Sequence, residues 1–180
     1  VTDHERRAAS LEIRAKGRRL EGYAATFGTE TRIAERFTEV IAPGAFAASL
    51  KAGGDILALV DHDTGRVLAR TRSGTLRLSE DSHGLAFSLD VPDTTAGRDV
   101  LALAERGDLG GMSFGFSVRK GGESWQGDRR ELRAVDLFEV SIVSAFPAYP
   151  ETSIAARARQ VTGPRLSLAR RYLDLMEATR

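Results

Sequence analysis

Val135-Asp136-Leu137-Phe138-Glu139-Val140-Ser141-Ile142-Val143 is the most strand-like run of the chain, rich in β-branched and aromatic residues and followed by Pro147 and Pro150. Asp136 and Glu139 interrupt an otherwise apolar sequence, and their odd spacing puts them on opposite faces of a regular strand. A carboxylate buried there without a partner is costly, so at least one of the two is expected to bond a partner or to take part in chemistry.

Upstream of this run, residues 112–118 alternate as a strand, and Trp125 with residues 129–134 suggests a hairpin arm. Asp93-Thr94-Thr95 can cap a helix reaching about Arg106, with Val100, Leu101 and Ala104 as its apolar stripe and Gly107-Asp108 as its stop. Nearer the start, residues 11–15 and 20–27 flank Lys16-Gly17-Arg18-Arg19 as a hairpin. Residues 33–41 predict one further strand, which Ala42-Pro43-Gly44 breaks before a short alanine-rich helix over 45–50. A strand over 56–60 runs directly into Asp61-His62-Asp63. Residues 67–72, 75–80 and 85–91, separated by Ser73-Gly74 and Asp81-Ser82-His83-Gly84, predict an antiparallel meander.

Residues 154–180 differ from the rest: they are rich in arginine, and a Gly163-Pro164 break precedes an amphipathic run with Leu168, Tyr172, Leu175 and Met176. This segment predicts a helical tail, either packed on the domain's own core or free to dock elsewhere.

The 180 residues fit one domain of ordinary size, and 42% apolar with 28% charged residues is the mix of a folded protein. The 26 basic and 25 acidic side chains nearly cancel, so neither nucleic acid nor an anionic membrane is an expected partner. The absence of cysteine excludes a disulfide framework, a thiol nucleophile and a cysteine-ligated zinc. No stretch approaches the ~20 consecutive apolar residues of a membrane helix, and residues 1–7 lack the apolar run of a secretory signal. A cytosolic protein is the expectation.

The search for a general base is short, because the chain has three histidines. His4 lies in the polar start and His83 in a turn, whereas His62 follows a strand, where a sheet can hold it rigidly while leaving it open to substrate. A hydroxyl with small neighbours occurs in Gly110-Gly111-Met112-Ser113-Phe114-Gly115-Phe116. The Gly-x-Ser-x-Gly pattern is present, but an α/β-hydrolase elbow needs a helix after the serine and a histidine later in the chain. Strand alternation follows Ser113 instead, and no histidine lies beyond His83. The Gly-Asp-Ser-Gly setting of chymotrypsin-type proteases is also absent. A metal held by Asp61, His62 and Asp63 is disfavoured, since consecutive side chains on an extended chain point in opposite directions. Glu139 and Asp136 are the acids available to orient an imidazole beside the serine.

Together these residues resemble the prohead maturation proteases of tailed phages and related particles, themselves similar to herpesvirus assemblin. The resemblance runs from about Leu11 to Thr152, through Glu21-Gly22-Tyr23-Ala24, Glu39-Val40-Ile41-Ala42-Pro43-Gly44-Ala45-Phe46 and Asp61-His62-Asp63. It continues in Pro92-Asp93-Thr94-Thr95-Ala96-Gly97-Arg98-Asp99-Val100, Gly111-Met112-Ser113-Phe114-Gly115-Phe116, and Asp136 to Ser141 with Phe146-Pro147-Ala148-Tyr149. The joint order of these segments is what makes it specific.

The resemblance implies an α+β, mainly β protein: an assemblin-like antiparallel barrel flanked by a few helices over residues 1–152, followed by the tail over 153–180. It implies a serine endopeptidase without cofactor or metal, with Ser113 as nucleophile, His62 as base and Glu139 as the third member, Asp136 being the alternative. Its implied substrates are the scaffolding segment of the major capsid protein and the protease itself, inside an assembling procapsid in the bacterial cytoplasm. The implied particle is a phage, a prophage or a gene transfer agent, and the implied assembly a homodimer. The family often carries asparagine before the histidine; Asp61 here adds a negative charge beside His62. The competing readings are a non-catalytic scaffold or capsid-binding module, and a metal-dependent hydrolase centred on Asp61 and His62.

Overall fold

The computed structural model describes residues 4–9, 13–33 and 36–144. In chain order the elements are β1 (Glu5–Ala9), β2 (Ile13–Lys16), β3 (Arg19–Thr26), β4 (Thr31–Ile33), β5 (Phe37–Ile41), α1 (Ala47–Ala52), β6 (Leu57–Val60), β7 (Asp63–Arg70), β8 (Leu76–Glu80), β9 (Gly84–Asp90), α2 (Thr95–Arg106), β10 (Gly111–Val118), β11 (Glu123–Gln126), β12 (Arg129–Leu132) and β13 (Val135–Val143). The protein is α+β and mainly β, as its alternating sequence requires.

The strands form three sheets, ordered β1-β10-β13-β6-β7, β11-β12-β5-β4 and β2-β3-β9-β8. Among the described residues these ladders do not close into the expected barrel, and the pairings are not all antiparallel: β13 runs parallel to β6, and β12 parallel to β5. Residues 33–41 are not one strand. Ile33 pairs with Phe37 across an antiparallel hairpin of β4 and β5. The meander also divides, because β7 pairs with β6 in the five-stranded sheet whereas β8 pairs with β9, which in turn pairs with β3. The hairpin of β2 and β3 forms around the Gly17 turn as its sequence predicts.

The capping of α2 follows its sequence. Thr94 is extended, and its hydroxyl accepts from the Gly97 backbone N–H, satisfying one of the orphan donors of the first turn. Gly107 closes the helix at φ 74°, a left-handed conformation that costs glycine little. The apolar faces of the sheets enclose the core, where Phe46 packs edge-on against Phe114 at 5.4 Å between centroids and Phe114 stacks on Phe116 at 5.2 Å. The helical tail, the 152/153 boundary and Phe146-Pro147-Ala148-Tyr149 lie outside the described residues.

The central strand, β13, carries a bulge. Leu137 stands opposite Phe116 and Glu139 opposite Gly115, so Phe138 is an extra residue against β10. The bulge reverses the phase of β13. Val135 and Leu137 before it, and Val140 and Ile142 after it, all reach the core. By the same register Asp136, opposite Ser117, and Glu139, opposite Gly115, share one face of the sheet. The opposite-face assignment for these two acids is therefore corrected: it assumes an unbroken alternation.

Candidate active site

β6 and β7 are joined by a two-residue turn, Asp61-His62, with Val60 opposite Asp63. Both turn residues have positive φ, 51° and 62°, as a tight hairpin of this length needs. Aspartate and histidine tolerate this region better than most residues, but such conformations persist only where the surroundings enforce them. Here Asp61 enforces the turn. Its backbone N–H donates to the Ile142 carbonyl at 2.9 Å, and its carboxylate accepts from the Ser144 N–H at 2.8 Å and the Ser144 hydroxyl at 2.9 Å. The charge beside His62 is thus turned to the end of β13 and, at 3.5 Å, to Arg66.

The turn delivers the His62 ring onto β13, where Nδ1 lies 2.7 Å from Glu139 Oε1. The side chains are 11% and 9% exposed, so the pair is largely shielded from water. A carboxylate against Nδ1 favours the proton on that nitrogen and leaves the Nε2 lone pair to act as a base. The slot for Glu139 exists because residue 115 is glycine: a Cβ there would lie 2.5 Å from Oε1. Ser141 donates to the other oxygen, Oε2, at 2.6 Å, and Arg6 Nε stands 3.6 Å from Oε1.

Ser113 sits in the middle of β10, opposite Ser141 on one side and Ala8 of β1 on the other. Alternation along β10 places it on the face of Gly115, hence of Glu139 and His62. Strand continues on both sides of it, so no nucleophile elbow forms. Ser113 is 1% exposed, and its hydroxyl donates to the Arg7 carbonyl at 2.7 Å, not to the His62 ring.

The remaining groups do not join this site. Asp136 pairs with Arg119, Nε to Oδ1 at 2.8 Å. Asp63 accepts from the Gly65 N–H at 2.8 Å, so the Asp61-His62-Asp63 carboxylates diverge, and the described residues include no group of three metal-ligating side chains. His83 packs edge-on against Tyr23, and His4 lies tilted against Phe138.

A buried ion network behind β10 has no counterpart in the sequence reading. Arg7 forks onto Glu39 at 2.5 and 2.8 Å, and Arg130 bonds Glu39 at 3.0 Å, Glu5 at 2.7 and 2.8 Å and Glu123 at 2.6 Å. Burial disfavours the charge on Glu5, but Arg130 and Arg7 outweigh it and hold the carboxyl below its ordinary value. The Arg130 guanidinium is likewise buried, yet Glu5 and Glu39 hold it more firmly charged than usual. The network ties β1 to β5, β11 and β12, and so fixes the Arg7 carbonyl that receives Ser113. The opposite charges of Glu5 and Arg7, two apart on one strand face, were the available signal, but their other partners are distant in sequence.

A family model described as caudovirus prohead serine protease matches residues 5–164. No curated protein and no solved structure matches the chain.

Proposed function

We propose, given that this chain belongs to the caudovirus prohead serine protease family, that it cleaves the scaffolding segment of the major capsid protein with Ser113 as nucleophile, His62 as base and Glu139 as the group that orients the base. The observation that carries this reading is the 2.7 Å contact between His62 Nδ1 and Glu139 Oε1, on the sheet face that also bears Ser113.

In the reaction, Ser113 rotates its hydroxyl from the Arg7 carbonyl to His62 Nε2. That nitrogen takes the proton as Oγ attacks the scissile carbonyl, and Glu139 stabilises the imidazolium through Nδ1–H. His62 then protonates the leaving amine. A water activated by the same nitrogen hydrolyses the acyl-Ser113 ester and restores the hydroxyl. The protease domain covers residues 1–152, acts as a homodimer inside the procapsid in the host cytoplasm, and also cuts its own chain. Among the described residues, no helix is long and apolar enough to cross a membrane.

A second reading, a capsid-binding module without catalysis, is favoured by one observation: Ser113 is buried and bonded to backbone. Co-expression with the capsid precursor separates the two. If wild type trims the precursor in intact-mass spectra while Ser113→Ala and His62→Ala leave it whole, the protease reading stands. Unchanged masses with assembled particles would give the binding module first place.

A further inference from the structure

We infer that Ser141 is a positioning residue for catalysis, one that holds Glu139 in the rotamer that meets His62; the inference rests on the protease reading above.

Glu139 is buried, and an ionised carboxylate has only acceptor sites, so each oxygen needs a donor. His62 serves Oε1, with Arg6 Nε farther off at 3.6 Å. Oε2 receives the Ser141 hydroxyl at 2.6 Å, a length typical of a strong bond to an anion. Ser141 is wholly buried, and no other bond of its hydroxyl is found among the described residues. The geometry also fits its place in the strand: past the bulge at Phe138, Glu139 and Ser141 are two apart on one face, and Ser141 stands opposite Ser113. Gly115 on one side leaves the space for the carboxylate, and Ser141 on the other fixes its direction.

Without the Ser141 hydroxyl, Oε2 is left buried with no donor, and the carboxylate gains by rotating towards Arg6 or water and away from Nδ1. The loss of one hydrogen bond to a charged group predicts a fall in kcat of about ten- to a hundred-fold, with KM altered by less than about twofold.

The test compares wild type, Ser141→Ala, Ser141→Cys and Ser113→Ala in cleavage of the capsid precursor, together with proton NMR of the His62 Nδ1–H signal. The NMR is recorded in the Ser113→Ala background so that no chain is cut. Ser141→Ala is expected to lower kcat alone and to broaden or shift the Nδ1–H signal, with Ser141→Cys, a weak donor of similar size, falling between. A folded Ser141→Ala with wild-type kcat and an unchanged Nδ1–H signal would overturn the inference, as would loss confined to KM. Should Ser141→Ala fail to fold, a Ser141→Cys protein with an unchanged signal would do the same. If wild type itself does not cleave, the protease reading fails separately, and the NMR comparison still decides whether Ser141 orients the pair.

Discussion

Replacing Gly115 with alanine should disable the site while leaving the fold nearly untouched. The added Cβ would lie 2.5 Å from Glu139 Oε1, 3.0 Å from its Cγ and 3.1 Å from its Cδ. Gly115 is not among the residues of positive φ, so alanine meets no backbone strain there. What must give is the carboxylate. Restoring an ordinary contact of ~3.4 Å moves Oε1 by ~0.9 Å, enough to stretch its bond to His62 towards ~3.6 Å, beyond hydrogen-bonding range. A misplacement of that size in a catalytic group costs about a hundred-fold in rate. The stability cost should be about 1–2 kcal/mol, since a side-chain end moves rather than backbone. The assay is kcat and KM on a peptide spanning the mapped cleavage site, with urea unfolding as the control. A Gly115→Ala protein with wild-type kcat would refute the reasoning, because Glu139 would then not need to be where the structure puts it.

Gly97→Ala should do the opposite, harming stability with little effect on kcat: its Cβ would lie 2.1 Å from the Pro92 carbonyl oxygen, which is backbone, and a shift of urea midpoint worth about 1–3 kcal/mol is expected. Glu39→Ala leaves Arg7 buried without its fork partner and should cost about 3–5 kcal/mol, read by the same unfolding. Acid should also weaken the fold. The folded Glu5 carboxyl is held below its unfolded value, so its contribution is complete above about pH 4.5 and is lost as pH falls through the lowered folded value. Glu5→Gln should therefore flatten the fall in urea midpoint below about pH 4, and an unchanged slope would contradict the network's role.

Local elements were legible where one signal sufficed. Thr94 and Gly107 bracket α2, Gly17 turns a hairpin, and β-branched residues mark β13, each through chemistry confined to a few neighbours. Pairing partners were not legible, since nothing in residues 67–91 tells β7 to join β6 while β8 joins β9. The bulge lay between these cases. The apolar residues Val135, Leu137, Val140 and Ile142 contain a step of three that breaks the period of two, a phase change visible in the sequence once its meaning is known. Reading the strand as regular put Asp136 and Glu139 on opposite faces, whereas they share one and part only through their partners, Arg119 and His62. His62 was singled out by elimination, with Glu139 or Asp136 as the acid to orient it, but the groups that surround His62, Glu139 and Ser113 were not. Ser141, Arg6 and the Arg7 carbonyl enter through strand register, which only the folded sheet supplies.

The most direct measurement of the central claim is labelling with an alkyl fluorophosphonate, which forms an ester with a serine only when a base activates its hydroxyl. The account predicts one adduct on wild type, located by fragmentation of the tryptic peptide 107–119 at Ser113 and not at Ser117, and none on Ser113→Ala or His62→Ala. An adduct on another serine, or equal labelling of the His62→Ala protein, would contradict it.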